Sequence, residues 1–194
     1  MLTLYFSPGA SSMAVHICLH EVGATFEPRP LSFTRKEHRA PDFLHLNPEG
    51  KVPTLLIDGR PLTEVAAILF YLARAFPAAD LLPPAGDHEA EAQTISWMSF
   101  IAATIHPARR QGLAHAEAVW HLADQRLGAG EWAIGRYSIA DIHLFRLYWR
   151  FANSLHPAPG TFPNLAGHHD RMMRRPAVRR TIEIERAIGY ELPA

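Results

Sequence analysis

Reactive side chains are sparse in this chain, and few of them stand at a spacing that chemistry could use. Cys18 is the only cysteine, which excludes an intramolecular disulfide and fits a reducing compartment. It falls inside an apolar helical pattern and reads as a buried small hydrophobe rather than a nucleophile. The 12 histidines are scattered, with no H-E-x-x-H, no H-x-E-x-H and no Cys/His pair at ligand spacing, so no metal site is expected. Two clusters are better placed. In Ser7-Pro8-Gly9-Ala10-Ser11-Ser12 a turn hands two hydroxyls to the start of a helix, where Ser11 is on general grounds an N-cap. Glu64-Val65 opens another helix, whose free amides and dipole favour an anion. His106 stands directly before Pro107, a residue that ends or kinks a helix.

The elements that must hold these groups follow from periodicity. Leu2 to Phe6 is a short strand, stopped by Pro8-Gly9; Val15, Leu19 and Val22 then repeat at helical spacing up to Gly23. Phe26 to Leu31 returns as a second strand, and a βαβ start implies parallel pairing. Residues 35–46 are polar, a loop with a short helix. Residues 51–57 form a third strand that begins at a proline, and Asp58-Gly59 is a hairpin signal. Glu64 to Phe76 is helical and ends at Pro77.

Residues 78–87, with Pro83-Pro84 and Gly86, read as a linker between residues 1–77 and an all-helical region, 88–194. There the pattern predicts a helix over 88–105, with Ile95, Met98, Ile101, Ala102 and Ile105 on its apolar side, and further helices over 113–127, from Ser138, over 163–174 and over 176–188. Ser138-Ile139-Ala140-Asp141 has the capping-box pattern, with Tyr137 and Ile142 as its staple. No internal repeat is visible.

Nineteen acidic residues balance 19 basic ones, so nothing points to a nucleic acid or an anionic membrane as partner. No apolar run approaches the ~20 residues of a membrane span. The first six residues read as a strand and not as a signal peptide, so a cytoplasmic location is expected.

Three segments now stand in a telling order. They are Ser7 to Ser12 after strand one, Asn47-Pro48-Glu49-Gly50-Lys51-Val52-Pro53 before strand three, and Leu62-Thr63-Glu64-Val65-Ala66-Ala67-Ile68 at the next helix. With the Ser138 to Asp141 cap, the chain resembles the cytosolic glutathione transferases, nearest to the bacterial beta class, with Ser11 where that class has a cysteine. The resemblance implies a thioredoxin-like domain, an α-helical bundle domain, a homodimer, and glutathione as co-substrate without a metal.

It also implies the contacts. Val52 would precede a cis-proline, Pro53, and offer its amide and carbonyl to the extended peptide as an added strand would. Glu64 would take the ammonium of the γ-glutamyl end and the Val65 amide its carboxylate, although many relatives carry a serine where Val65 stands. Arg35 or Lys51 would hold the glycyl carboxylate. The thiol must become a thiolate, and lowering a pKa of ~8.5 by ~2 units takes about 2.7 kcal/mol. A hydrogen bond from a hydroxyl at the head of the first helix is of that order. Ser11 is the first candidate, Ser12 the second and Tyr5 the third, while Ala10 fills the serine position of other classes. His106 matches a beta-class histidine that faces the thiol. Without a cysteine at position 11, thiol-disulfide exchange is disfavoured. Phe100, Tyr148 and Trp149 are aromatic candidates for an electrophile pocket or, more simply, core residues. Between His106 and Ser138 the chain is shorter than is usual in that family.

Two functions fit. One is a glutathione S-transferase that conjugates the thiol to a small hydrophobic electrophile. The alternative is a non-catalytic glutathione-binding or ligand-carrying module that kept the fold. An isomerase acting through glutathione is a third, but the serine-cysteine cluster it would carry is absent.

Overall fold

The computed structural model describes residues 1–191, which fall into two compact units, one of Met1–Ala79 with residues 176–191 and the other of Asp80–Arg175. The division falls inside the expected linker. The expectation that residues 88–194 form one helical region is revised at its end, because the last helix clusters with the first unit.

The first unit is a four-stranded sheet of order β2-β1-β3-β4, built from β1 (Leu2–Phe6), β2 (Phe26–Pro30), β3 (Thr54–Ile57) and β4 (Arg60–Thr63). β1 pairs parallel with β2, as the βαβ start required, and antiparallel with β3. The turn between β3 and β4 places Asp58 at φ 49° and Gly59 at φ 82°, the two positive values of a type I′ hairpin. On the edge strand β2, Pro28 and Pro30 stand at alternate positions and lack the amides that an added strand would need.

Helix α1 (Ser12–Glu21) is buried from Ser12 through Leu19, the pattern of a helix enclosed on every side. It packs against α3 (Val65–Ala75) and α9 (Pro176–Ile188). α2 (Pro41–Leu46) follows a 3-10 turn, Glu37–Arg39, and buries Phe43.

In the second unit α4 (His88–Phe100) runs on as a π-helix, Ile101–Ile105, before the single turn α5 (His106–Ala108). Pro107 therefore does not end the helix. The wider turn, in which the His106 amide reaches back to the Ile101 carbonyl, accommodates a ring that would collide with a tighter one. The buried face is Thr94, Trp97, Met98, Ile101 and Ile105. Ile95 is 64% exposed and Ala102 is exposed as well, because each sits one position off that stripe.

α6 (Leu113–Leu127), α7 (Ile139–Leu155) and α8 (Pro163–Met173) complete the unit. The capping box forms as expected: Ser138 Oγ accepts from the Ala140 amide, and the Asp141 carboxylate accepts from the Ser138 amide at 2.9 Å. Fully buried Asp141 also accepts from the Ala133 amide at 2.8 Å and pairs with His168 at 3.0 Å, so the cap ties a loop and α8 to α7.

Candidate functional site

Asn47 builds the loop that leads into the site. Its side-chain amide donates to the Lys51 carbonyl at 2.9 Å and to Thr54 Oγ1 at 3.1 Å, while its own oxygen accepts from the Glu49 amide. Gly50 is required by space as well as by its φ of 60°: a Cβ there would lie 2.8 Å from both the Arg39 guanidinium and the His38 carbonyl. The loop ends at a cis Val52-Pro53 bond. Val52 packs with Ala10 and Phe43, and Tyr5, Leu31 and Phe33 close over that cluster.

Ser11 and Val52 meet. Ser11 Oγ donates to the Val52 carbonyl at 3.1 Å, and Ser11 makes no cap bond to α1, so the ordinary N-cap explanation for this serine fails. The carbonyl keeps a second lone pair, and the Val52 amide has no partner among the described residues. The two main-chain groups expected to receive a peptide are thus open at the amide and half-occupied at the carbonyl. Half-buried Ser11 is the hydroxyl that reaches the carbonyl.

The other hydroxyls are placed differently. Ser12 is fully buried, and its Oγ donates to the Ser7 carbonyl at 3.2 Å while accepting from the Ser7 amide at 3.1 Å. That hydroxyl closes the Ser7-Pro8-Gly9 turn and has no hydrogen left for a thiol, which removes the second candidate. Tyr5 packs its ring on Phe43 with centroids 5.4 Å apart. It faces a groove of about 480 Å³ on the α2 side of the sheet, lined also by Pro28, Pro30, Ala40 and Leu46.

Glu64 precedes α3 at φ 67° and ψ 123°, a conformation that costs a non-glycine residue about 1–3 kcal/mol. Its side chain is exposed and makes no bond within the chain among the described residues. Val65 is buried, so its methyl groups supply packing that a serine would not. The two cationic candidates are exposed and already paired: Arg35 Nε donates to Glu37 at 2.9 Å and Lys51 Nζ to Glu49 at 2.7 Å. The Glu37 carboxylate raises the Arg35 guanidinium above its usual range.

His106 opens α5 in the other unit. Its pKa is lowered to about 4, by the packing around it first and then by the Arg146 and Arg110 guanidiniums, so the ring is neutral near pH 7. Tyr148 belongs to a core of rings with Trp120, Phe151 and Phe162, and Phe100 meets Trp97 edge to face under the Arg126 guanidinium. Cys18 is fully buried in α1, which raises its thiol out of the reactive range.

One buried group was not anticipated. Glu185 of α9 accepts from the Gly9 amide at 2.6 Å with one oxygen and pairs with His16 Nδ1 at 2.9 Å with the other. It anchors the turn from which Ser11 projects. A carboxylate standing in the apolar stripe of Val178, Thr181 and Ile182 is the signal by which the sequence gives it away.

Among the described residues no group of three or more His, Cys, Asp or Glu could hold a metal, and no helix is long and apolar enough to cross a membrane.

Residues 1–74 match the model of the glutathione S-transferase N-terminal domain. Over 95% of its length the chain is 32% identical to the glutathione S-transferase GstA of Escherichia coli O157:H7, of which it covers 98%. Among solved structures it is similar to a bacterial beta-class glutathione S-transferase of Sphingomonas chungbukensis, at a TM-score of 0.81 and 35% identity, with 94% of this chain and 98% of that one covered. It is likewise similar to a sphingomonad glutathione S-transferase complexed with glutathione, at a TM-score of 0.82 and 32% identity over the same shares of the two chains.

Proposed function

This chain belongs to the cytosolic glutathione S-transferase family, and from that premise we propose that it activates the glutathione thiol with Ser11 and adds the resulting thiolate to a small hydrophobic electrophile. Transferase activity and glutathione as co-substrate follow from relatives that match nearly end to end. The assignment of residues rests on one observation, the 3.1 Å bond from Ser11 Oγ to the Val52 carbonyl.

The extended peptide adds to the Val52 amide and to the free lone pair of its carbonyl, which sets the cysteinyl sulfur beside Ser11. The hydroxyl then leaves the carbonyl for the sulfur. A donor that turns from a neutral oxygen to an anion gains energy, because hydrogen bonds to charged groups are about twice as strong. The head of α1 adds a smaller stabilisation of the same sign. At the far end Glu64 takes the ammonium and the amides of α3 the α-carboxylate. Arg35 or Lys51 exchanges its glutamate for the glycyl carboxylate. A homodimer working in the cytoplasm is the expected form, on the strength of the family.

Calorimetry of glutathione binding, with an ultraviolet titration of the bound thiol and turnover of an aryl halide or an enone, tests the assignment. Binding with a thiol pKa below that of free glutathione is expected. Binding without that fall, and without turnover of any electrophile, would leave a carrier module instead.

A further inference from the structure

The last described residue carries a carboxylate that the chemistry so far does not use. Gly189, at φ 102°, turns the chain out of α9, and the Tyr190 hydroxyl donates to the Ile182 carbonyl at 3.3 Å. Glu191 is thereby delivered to the loop between β2 and α2. Ser32 Oγ lies 2.9 and 2.8 Å from its two oxygens, and the Thr34 amide donates to it at 2.9 Å. Ser32 is only 7% exposed, and it is also the organiser of the loop. Its Oγ accepts from the Arg35 amide at 3.0 Å, its amide donates to Glu37 at 2.7 Å, and its carbonyl accepts from the Glu37 amide at 3.0 Å.

Phe33 lies between the two residues that Glu191 holds, and its ring packs on the Ala10, Phe43 and Val52 cluster. Arg35 follows one residue later. We propose that Glu191 is a positioning residue for the glutathione site: the C-terminal tail straps the 32–35 loop and so fixes both the wall behind Val52 and the guanidinium at position 35. This rests on Val52 and Arg35 being glutathione contacts. Glu191 touches no substrate and acts through Ser32, Thr34 and Phe33. Other bonds that order the loop, such as the Lys36 amide to the Phe33 carbonyl at 3.0 Å, lie within it, whereas Glu191 ties it by a side chain to the segment that follows α9.

The test compares the unmodified chain with Glu191→Ala, Glu191→Gln and a chain stopped after Tyr190. Losing two hydrogen bonds that order the loop is expected to raise the KM for glutathione about three- to tenfold in Glu191→Ala and in the shortened chain. The effect falls in that KM, with the KM for the electrophile and the kcat at saturating glutathione held. Glu191→Gln, which keeps an acceptor oxygen, falls between. Trypsin supplies a readout that needs no turnover: cleavage after Arg35 or Lys36 quickens in the variants, and saturating glutathione slows it again. Unchanged KM and unchanged nicking in both Glu191→Ala and the shortened chain overturn the proposal. So does a uniform loss of kcat, both KM values and thermal midpoint, which would mean general destabilisation. If the unmodified chain binds no glutathione in calorimetry, the transferase site itself is misplaced and the strap falls with it.

Discussion

Replacing Ser11 by alanine should raise the pKa of bound glutathione by about one unit, and the size follows from what the hydroxyl does before the peptide arrives. In the free protein it already donates to the Val52 carbonyl, so thiolate binding exchanges one acceptor for another. A bond to a neutral carbonyl contributes about 0.5–1.5 kcal/mol and one to a charged group about 1.5–3, so the exchange favours the thiolate by roughly 1–1.5 kcal/mol. At 1.36 kcal/mol per unit that is about one pKa unit, and the head of α1 supplies the remaining fall in both proteins.

Below both pKa values the variant then holds about a tenth of the wild-type thiolate. The more basic thiolate is about threefold more nucleophilic, by a Brønsted slope near 0.45. Turnover should thus fall only about three- to fourfold at low pH, and the two pH profiles should cross at high pH. An ultraviolet titration of the thiolate in the binary complex reads the pKa directly. Ser11→Thr, which keeps a hydroxyl, should stay near wild type. An unchanged thiol pKa in Ser11→Ala, or an equal one in Ser11→Thr and Ser11→Ala, would refute Ser11 as the activating group.

Three further outcomes are expected. Glu64→Gly should move stability and binding in opposite directions: glycine accepts φ 67° and ψ 123° without strain, which gains about 1 kcal/mol in urea unfolding, while the lost carboxylate raises the KM for glutathione about tenfold; a less stable variant would show that the backbone there is not strained. Glu185→Ala removes the carboxylate that the buried Gly9 amide and His16 ring share and should cost about 3 kcal/mol in denaturant unfolding; a loss well under 1 kcal/mol would mean that water replaces the carboxylate. His143, 2% exposed with Nδ1 unpaired, is lowered from 6.5 to about 3 by burial first, then by His106 and Arg146. Its folded pKa lies below the unfolded one, so its share of stability is present above about pH 6.5 and is lost as the pH falls toward 3. His143→Phe should flatten the fall of the urea midpoint over that range, and an unaltered slope would count against it.

The strands, the hairpin and the capping box were legible because each rests on neighbouring residues: Asp58-Gly59 makes its own turn, and Ser138 bonds to residues within three positions of itself. The 47–53 loop was legible for a similar reason, since Asn47 bonds to Glu49, Lys51 and Thr54 within a few positions of itself. The π-turn at 101–105 was not, because it compromises between continuing the apolar stripe of α4 and admitting Pro107, and periodicity registers only the first. Glu185 and Glu191 escaped for want of distance information. Each bonds to residues more than 150 positions away, and no local pattern shows which carboxylate a buried amide or serine will choose.

Ser11 and Ser12, first and second candidates for the thiol, and Arg35, a candidate for the glycyl carboxylate, each prove to have a partner in the folded chain. Having a partner does not by itself retire a residue; burial decides. The Ser12 hydroxyl is enclosed, so pulling it off Ser7 would strand a buried amide, and no substrate reaches it. Arg35 and Lys51 pair with Glu37 and Glu49 in open solvent, where such pairs contribute little and water completes whatever is broken. A substrate carboxylate can displace those glutamates at small cost. Ser11 lies between these limits, half-buried, on a carbonyl with a lone pair to spare, and it alone joins an accessible hydrogen to a partner that the peptide can satisfy in its place. A catalytic donor must be held firmly enough to be aimed and loosely enough to be given up. Of Ser11 and Ser12, Ser11 is the one that meets both conditions.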